Sequence, residues 1–358
     1  MHVVVVGAGY AGVMAANRLA GRGSGMRVTV VNPQADFVER IRLHELAAGT
    51  GTATRPLTAL LADGVDLHLG RAEKVGDGVV VVRDVDGEPS DVPFDRVILA
   101  AGQAANLPDG AVGIDSLGRA QHAAGAIAAL PTGATVAVVG SGLTGVEAAA
   151  EIARARTDLR VELIGASEPA ADFDPRGRAR IRGGLERAGV EVVTGSVLEV
   201  ADGRATLADG GTRAADLVVW AVASGAGAPI GGVAVDPAGR IRVDEYLRSV
   251  EDPRVLAVGD IAAVPGMRPS CQAAIPQGAY AADLLIAEGV GSRRARPFSM
   301  RFVGRNVSLG RRDAVIQATD RNDHPLRWTI GGRPAAAIKE TVCRGVVQAV
   351  RLAKYYPA

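Results

Sequence analysis

Short apolar runs, each followed by a glycine-rich turn and a stretch with helical spacing, form the clearest pattern along the chain. Residues 2–6 are almost all valine, and such a β-branched run is typical of a strand buried in a parallel sheet. A helical stretch through residues 14–19 follows, and a second β-rich run covers residues 28–31. The order strand, turn, helix, strand predicts a βαβ unit.

The same pattern recurs further along the chain. An apolar run at residues 135–139 precedes a predicted helix over residues 146–155 and another strand over residues 160–164. Two units of this kind predict an α/β protein with two Rossmann-type dinucleotide-binding domains. Strands predicted between residues 301 and 318, with a final helix, add a small C-terminal α+β cap.

Each unit carries the motif G-x-G-x-x-G in its turn. In the first unit, Gly7 permits a tight turn, Gly9 lets a pyrophosphate approach the backbone, and Gly12 lets the helix pack close to the strand. The pyrophosphate then lies at a helix N-terminus, where free N–H groups favour an anion. The predicted contacts are Gly7, Gly9, Tyr10, Ala11 and Gly12 in the first unit, and Gly140, Gly142, Leu143, Thr144 and Gly145 in the second.

The end of the second strand in each unit is where an adenosine ribose is bound. The first unit has Asn32 there, and its amide can hydrogen-bond a diol in place of the usual acid. The second unit has Gly165, Ala166 and Ser167, which include neither an acid nor an arginine. The sequence therefore predicts two dinucleotide sites without choosing between NADH and NADPH.

Composition narrows the class of protein. The 358 residues are 48% hydrophobic and carry a net charge of +1. Acids and bases are interspersed without a basic face, so no nucleic-acid partner is predicted. No apolar run approaches the roughly 18 residues of a spanning helix, and the first strand begins too early to leave room for a signal peptide. The two distant cysteines predict no metal site. These features favour a cytoplasmic protein, soluble or peripheral at the inner face of the membrane.

With both fingerprints in place, the chain resembles the two-dinucleotide-binding flavoproteins of the pyridine nucleotide–disulfide oxidoreductase superfamily. Residues 94–102 resemble the strand and turn that return the chain to the flavin domain, and residues 216–223 resemble their counterpart leaving the NAD(P)H domain. Residues 255–260 resemble the late flavin motif, whose aspartate hydrogen-bonds the ribityl chain. The resemblance implies bound FAD and adds to its site Ala101, Gly102, Gly259 and Asp260.

The absence of cysteine from one segment narrows the set of families that the chain resembles. Disulfide reductases on this scaffold carry a redox cysteine pair near the flavin, whereas residues 42–46, at the corresponding helix, contain no cysteine. The chain is more similar to type II NADH dehydrogenases and to the ferroptosis-suppressor type of NAD(P)H:quinone reductase. Residues 37–49 and 307–315 match their pattern. Residues 271–278 resemble the A-Q-x-A-x-x-Q signature beside the flavin and quinone pocket, with Cys271 in place of the alanine.

That resemblance implies roles for three polar side chains. Glu147, on the helix after the second fingerprint, would lie near the nicotinamide or the acceptor. Glutamates spaced like Glu147 and Glu151 are also common on a solvated helix face. Gln272 and Gln277 would face the acceptor and hydrogen-bond a quinone carbonyl or the flavin edge, or would instead cap a helix that begins near Pro276.

The loop after the second strand completes the flavin site that the resemblance implies. It brings Arg40 and Arg42 to the flavin. A lone histidine is more often structural than catalytic, so a structural role is favoured for His44.

The last predicted helix, within residues 335–356, is milder than the strongly apolar helices that end type II dehydrogenases. A basic amphipathic helix can lie on a membrane surface. The apolar face here is narrow and has no Trp or Leu anchor, which favours packing on its own domain or on a partner subunit. Peripheral membrane contact and a homodimer are both left open. The predicted apolar face comprises Ile338, Val342, Val346, Val350 and Ala353.

The order of the motifs predicts the domains and the function. Residues 1–107 and 226–292 would form a discontinuous FAD domain, residues 108–225 an inserted NAD(P)H domain, and residues 293–358 the C-terminal domain. The predicted enzyme passes a hydride from NADH or NADPH to FAD and then two electrons to a quinone or quinone-like acceptor. Two alternatives stay open: an FAD-dependent oxidase, dehydrogenase or monooxygenase acting on a specialised metabolite, and a non-catalytic flavin redox sensor.

Overall fold

A computed structural model describes residues 1–103, 105–201, 203–222, 230–292 and 296–355 of the chain. The predicted α/β class is confirmed, because parallel strands alternate with helices in two separate sheets. Short 3-10 helices cover Arg40–Arg42, Leu57–Ala59 and Gly259–Ile261. The α-helices are α1 (Tyr10–Arg22), α2 (Leu43–Ala47), α3 (Leu117–Ala129), α4 (Leu143–Ala155), α5 (Pro175–Arg187), α6 (Cys271–Gly289) and α7 (Arg333–Arg351).

The strands follow in chain order. Those of the first half are β1 (His2–Val6), β2 (Arg27–Asn32), β3 (Asp36–Val38), β4 (Thr54–Pro56), β5 (Val65–Val75), β6 (Val79–Asp84), β7 (Pro89–Pro93), β8 (Arg96–Leu99), β9 (Ala111–Gly113), β10 (Thr135–Val139) and β11 (Arg160–Gly165). Those of the second half are β12 (Val190–Thr194), β13 (Val197–Ala201), β14 (Arg204–Leu207), β15 (Thr212–Ala214), β16 (Leu217–Trp220), β17 (Ile241–Arg242), β18 (Val255–Ala257), β19 (Ala262–Ala263), β20 (Gly304–Ser308), β21 (Ala314–Thr319) and β22 (Pro325–Gly331).

The larger sheet contains the first βαβ unit. Among the described residues, seven strands form it in the order β18-β8-β1-β2-β5-β6-β7. Pairing is parallel from β18 to β5, with Val5 opposite both Val30 and Ile98, and antiparallel from β5 to β7. Helix α1 packs on β1 and β2, and α6 packs on α1. The valines of β1 are therefore buried, and the first glycine loop lies at the carboxyl ends of the parallel strands.

The second sheet has the same plan. Its described strands run β12-β11-β10-β16-β9, and every neighbouring pair is parallel. Helix α4 packs on β10 and β11. Antiparallel strands β13, β14 and β15 form a small sheet of their own. The second glycine loop joins β10 to α4, in the position that the first loop has between β1 and α1.

The C-terminal cap consists of antiparallel strands β20, β21 and β22 with helix α7, which also packs on α1. The predicted apolar face of this helix is partly wrong, because Ile338 and Val342 are 43% and 46% exposed. The inward side of the helix includes Lys339, which forms an ion pair with the buried Glu147. The side chains that α7 buries are Ala335, Cys343, Val347 and Val350.

Two other expectations concern boundaries. Helix α6 begins at Cys271, with the Ser270 hydroxyl accepting from the Ala273 N–H at 3.2 Å, so the predicted start near Pro276 is wrong. The domain boundaries stay predictions, and residue 226 lies outside the described ranges. Within those ranges, no helix has the length and apolarity needed to cross a membrane.

Candidate active site

The first glycine loop is shaped by close backbone contacts. Gly7 has a φ of +98°, and a Cβ there would lie 2.6 Å from the Ala100 carbonyl oxygen. A Cβ at Gly12 would lie only 1.8 Å from the Gly7 oxygen. At Gly9, by contrast, a Cβ would meet nothing within 4 Å. The turn and the helix contact thus require glycine for internal reasons, whereas Gly9 borders open space at the N-terminus of α1, where a pyrophosphate fits.

Asn32, at the end of β2, braces this loop. Its side-chain oxygen accepts from the Ala8 N–H at 3.0 Å, and its amide nitrogen donates to the Gln34 carbonyl at 2.7 Å. The side chain is buried. Both ends of the Asn32 amide therefore form hydrogen bonds with backbone groups. The predicted contact of Asn32 with a ribose stays a prediction.

Tyr10 and Ala11 lie at the start of α1 and are buried. The Tyr10 ring contacts Phe37 edge-on, with ring centroids 5.0 Å apart. Ala11 faces α6, where a Cβ at Gly278 would lie 2.2 Å from the Ala11 carbonyl oxygen. Both side chains therefore pack α1 into its surroundings, and a direct contact with a cofactor stays a prediction for them.

The late Gly-Asp motif lies beside the first loop, as the parallel order β18-β8-β1 requires. Burial raises the pKa of Asp260, and the Arg40 guanidinium opposes that rise. Arg40 donates to the Gln103 carbonyl at 3.1 Å, next to Ala101 and Gly102 after β8. A Cβ at Gly102 would lie 3.9 Å from an Arg40 guanidinium nitrogen. That Arg40, Gly102 and Asp260 surround one cofactor stays a prediction.

The side chains of Gln277 and Gln272 both form hydrogen bonds with backbone groups. Gln277 is only 3% exposed, and its side-chain oxygen accepts from the Gly259 N–H at 2.6 Å. The Gln272 amide, oriented to satisfy both of its ends, donates to the Gly304 carbonyl at 3.1 Å and accepts from the Val303 N–H at 3.0 Å. Gln277 fixes the Gly-Asp turn, and Gln272 fixes the start of the cap. Their predicted contact with an acceptor stays a prediction.

The second glycine loop repeats the first. Gly140 has a φ of +122°, and a Cβ at Gly145 would lie 1.7 Å from the Gly140 oxygen. Gly142 borders open space, followed by Leu143 and Thr144 in the first turn of α4. The loop therefore presents a second free helix N-terminus that suits an anion.

The strand end beside this loop differs from that of the first unit. A Cβ at Gly165 would lie 2.3 Å from the Ser141 Cβ, so Ser141 fills the space that an acid at position 165 would need. The Ser141 hydroxyl lies 3.2 Å from that of Ser167. This end of the site is neutral and carries two hydroxyls.

Glu147 is buried in a charged cluster that joins α4 to the cap. Its Oε1 accepts from the Ser308 N–H at 2.9 Å and from Lys339 Nζ. Lys339 also donates to the Asn306 side-chain oxygen at 3.2 Å, and His44 Nδ1 lies 3.6 Å from Glu147 Oε2. Burial would raise the pKa of Glu147, but Lys339 and His44 outweigh it and hold that pKa below its usual value. Burial lowers the pKa of His44, which favours the neutral ring.

Arg42 lies among three carboxylates. Its guanidinium lies 3.2 Å from both Glu39 and Glu45 and 2.9 Å from Glu340 of α7. These residues line a surface cavity of about 370 Å³. Arg42 thereby ties the loop before α2 to the C-terminal helix, and its predicted contact with a cofactor stays a prediction.

Sequence reasoning missed Lys339 and Glu340, which bring α7 into the site. A usable signal existed for Lys339, because it falls on the buried stripe of α7 four residues after Ala335 and four before Cys343. A cation on such a stripe requires a buried partner. No such sequence signal exists for Glu340, because its side chain is partly exposed and is not among those that the helix buries.

The thiols do not form a redox centre with α2, whose residues include no cysteine. Burial raises the pKa of the Cys271 thiol to about 12 and also raises that of Cys343, so both stay protonated. Among the described residues, no group of three or more His, Cys, Asp or Glu side chains is arranged to hold a metal ion.

Known proteins resemble this chain in sequence and in fold. The family described as pyridine nucleotide-disulphide oxidoreductase matches residues 1–278. An NADH dehydrogenase-like protein of Mycobacterium tuberculosis is 33% identical over 331 residues, which covers 78% of each chain. The type II NADH:quinone oxidoreductase Ndh of that organism is 27% identical, covering 88% of this chain and 79% of its own. The structure of NDH2 from Plasmodium falciparum in complex with NADH superposes with a TM-score of 0.80 at 14% identity, covering 98% of this chain and 96% of its own.

Proposed function

The chain belongs to the pyridine nucleotide-disulphide oxidoreductase family, as its motifs predicted, and on this premise we propose a specific reaction. It takes a hydride from NADH or NADPH onto bound FAD and passes two electrons to a quinone or quinone-like acceptor. One observation carries the proposal. A single chain presents two glycine loops, each bordering open space at Gly9 or Gly142, at the carboxyl ends of the parallel strands of two separate sheets.

The first loop suits FAD because its surroundings bind both ends of such a molecule. The N-terminus of α1 offers N–H groups to a pyrophosphate at Gly9, and Asp260 offers a carboxylate to a ribityl hydroxyl. Arg40 supplies positive charge beside that carboxylate. Bound FAD supplies the chemistry that no side chain can, acceptance of a hydride and release of two electrons.

The second loop suits the nicotinamide donor. Its helix, α4, carries Glu147 one turn beyond the loop, and Glu147 holds Lys339 by a charge-assisted hydrogen bond. A quinone that accepts two electrons must also accept two protons. Lys339, an ammonium fixed between Glu147 and Asn306, is a proton source at the inner end of this cluster.

The relatives support a quinone as the acceptor. One of them is named as a type II NADH:quinone oxidoreductase and covers most of this chain. The lack of a cysteine in α2 agrees with an enzyme that hands electrons directly from flavin to acceptor and not through a dithiol.

An anaerobic titration tests the proposal. The purified yellow protein is titrated with NADH and, separately, with NADPH while flavin absorbance is followed, and menadione is then added. We expect rapid bleaching by at least one nucleotide and rapid reoxidation by menadione. If neither nucleotide bleaches the flavin of the fully loaded protein, the proposed hydride transfer from NADH or NADPH is wrong. A substrate-oxidising flavoenzyme or a flavin redox sensor then becomes the better account.

A further inference from the structure

Two buried polar atoms in the cluster around Glu147 have no hydrogen-bond partner among the described residues. They are Nε2 of His44 and Oε2 of Glu151. His44 is 4% exposed and Glu151 is 1% exposed. A buried polar group left unpaired costs about 1–3 kcal/mol, and proteins commonly satisfy such groups with an ordered water. These two atoms therefore mark a place where a water would be bound.

His44 and Glu151 lie on two helices that pack against each other. Glu151 lies one helical turn after Glu147 on α4, and α2, which carries His44, packs against that helix. The imidazole directs Nδ1 to Glu147 Oε2, so Nε2 is at the opposite end of the ring. Glu147 contacts His44, and Glu151 contacts Thr50, which lies three residues after α2, so both glutamates lie on the side of α4 that faces this segment.

Glu151 also leads to solvent. Its Oε1 accepts from the Thr50 hydroxyl at 2.5 Å. Thr50 is exposed, and the next residues, Gly51 and Thr52, line the surface cavity of about 370 Å³. A hydroxyl can accept one proton while it donates another. The Thr50–Glu151 hydrogen bond thus joins the protein surface beside this cavity to the buried end of Glu151.

We propose that Thr50, Glu151, a water bound between Glu151 and His44, and His44 form a path that carries protons from solvent to the Glu147–Lys339 pair. The inference rests on the proposed function, and the chemistry of that function creates the need. The hydride brings two electrons and one proton, while a quinone becomes a hydroquinone by gaining two electrons and two protons. One further proton must enter from solvent for each NAD(P)H oxidised.

The path balances step by step. Lys339 gives its proton to the reduced acceptor and recovers one through Glu147. His44 gives its Nδ1 proton to Glu147 and takes another at Nε2 from the water, which recovers a proton from solvent through Glu151 and Thr50. Return of the ring proton from Nε2 to Nδ1 then restores the starting tautomer. Because burial keeps the pKa of His44 low, the ring returns to neutral and does not trap the proton. The charged groups that act on His44 are Glu147, Lys339, Glu45 and Glu151.

A comparison of two acceptors tests the path. Menadione needs protons on reduction, whereas ferricyanide takes one electron and no proton. In Glu151→Gln, Thr50→Val and His44→Asn we expect kcat with menadione to fall, for His44→Asn by on the order of a hundredfold, as for loss of a positioned proton-transfer group. Bleaching by NADH and kcat with ferricyanide should keep their wild-type values. In these variants, the solvent deuterium kinetic isotope effect on flavin reoxidation by menadione should rise, because proton delivery becomes the slow step.

Thr52→Val is the matched control, since Thr52 lines the same cavity without contacting Glu151, and it should behave like wild type. Thr50→Val changes an exposed side chain, so it keeps the test open if a core variant fails to fold. Equal losses with both acceptors, or no loss with menadione in any variant, would overturn the path alone. A wild-type enzyme that bleaches but does not reduce menadione would overturn the proposed acceptor and the path with it.

Discussion

The two glycine loops of this chain can be compared atom by atom. A Cβ at Gly12 would lie 1.8 Å from the Gly7 oxygen, and a Cβ at Gly145 would lie 1.7 Å from the Gly140 oxygen. The side chains that support the two loops have nothing in common. Asn32 braces the first loop and Gln277 the turn beside it, both through neutral hydrogen bonds. Beside the second loop, α4 is fixed by the ion pair of Glu147 with a lysine of the C-terminal helix.

This difference separates what a fold imposes from what a function adds. The approach of helix to strand fixes the loop geometry, so it is the same in both units. The supporting groups come from distant parts of the chain and are free to differ. The first loop is held by neutral amides, which do not titrate, while the helix of the second loop is tied to α7 by an ion pair that does.

The largest expected effect comes from the glycines at the helix contacts. Gly12→Ala and Gly145→Ala each drive a Cβ into a backbone oxygen, which should cost above about 4 kcal/mol locally. We expect Gly12→Ala to lose its flavin. We expect Gly145→Ala to keep the flavin but to show no bleaching with NADH or NADPH. Flavin absorbance and anaerobic titration measure the two outcomes.

Gly9→Ala and Gly142→Ala are the matched controls. Their new Cβ atoms would meet no protein atom within 4 Å, so both variants should fold and lose only affinity for the nucleotide. Retention of flavin by Gly12→Ala, or loss of flavin from Gly145→Ala, would show that the two loops are not divided between the cofactors in this way.

The sequence predicted these loops because their causes are local. A β-branched run, a glycine whose φ must be positive, and a helical stretch all lie within about twenty residues in each unit, which is the range over which a pattern is informative. Gly7 and Gly140 were found in this way, and each has a positive φ.

What the sequence did not predict depends on long-range packing. Glu147 was singled out, but its partner Lys339 is 192 positions away, and no periodicity connects them. The contact of Gln277 with an acceptor stays a prediction, and no pattern predicted that its side-chain oxygen accepts from the Gly259 N–H. A polar side chain can serve a ligand or the backbone equally well, and only the three-dimensional arrangement shows which atoms it meets.

The next effect in size concerns the ion pair. Glu147→Gln leaves the buried Lys339 without a countercharge, and breaking one side of such a pair costs about 3–5 kcal/mol. Gln277→Ala removes one neutral hydrogen bond at the first unit and should cost only about 1–3 kcal/mol. Urea unfolding of each variant measures the free energy of unfolding. Equal losses of unfolding free energy in the two variants would mean that the Glu147–Lys339 ion pair contributes no more stability than the Gln277 hydrogen bond.

The pair also predicts a difference with pH. The folded pKa of Glu147 lies below its ordinary 4.5, so its contribution to stability is fully present above that pH and is lost as the pH falls through the lower folded value. In Glu147→Gln this part of the acid dependence should disappear, whereas Gln277→Ala should keep it. A Glu147→Gln protein with the same stability slope below pH 4.5 as wild type would contradict the assignment.

The smallest expected effect is at the end of β11, the second strand of the unit that we propose binds NAD(P)H, where Ser141 occupies the space beside Gly165. The double variant Ser141→Gly, Gly165→Asp removes the side-chain contacts at 2.3 and 2.4 Å and leaves the backbone nitrogen of residue 141 at 2.9 Å from the new Cβ, so the loop must shift slightly. The new carboxylate would then bind a ribose diol and repel a 2′-phosphate. We expect the ratio of kcat/KM for NADH to that for NADPH to rise about tenfold, a difference of about 1.4 kcal/mol. Gly165→Asp alone should mainly lower stability, because its Cβ meets Ser141, and Ser141→Gly alone should leave the ratio unchanged. If the double variant keeps the wild-type ratio while still bleaching with both nucleotides, the adenosine ribose does not lie at this strand end, and the likeness between the two units stops at their glycine loops.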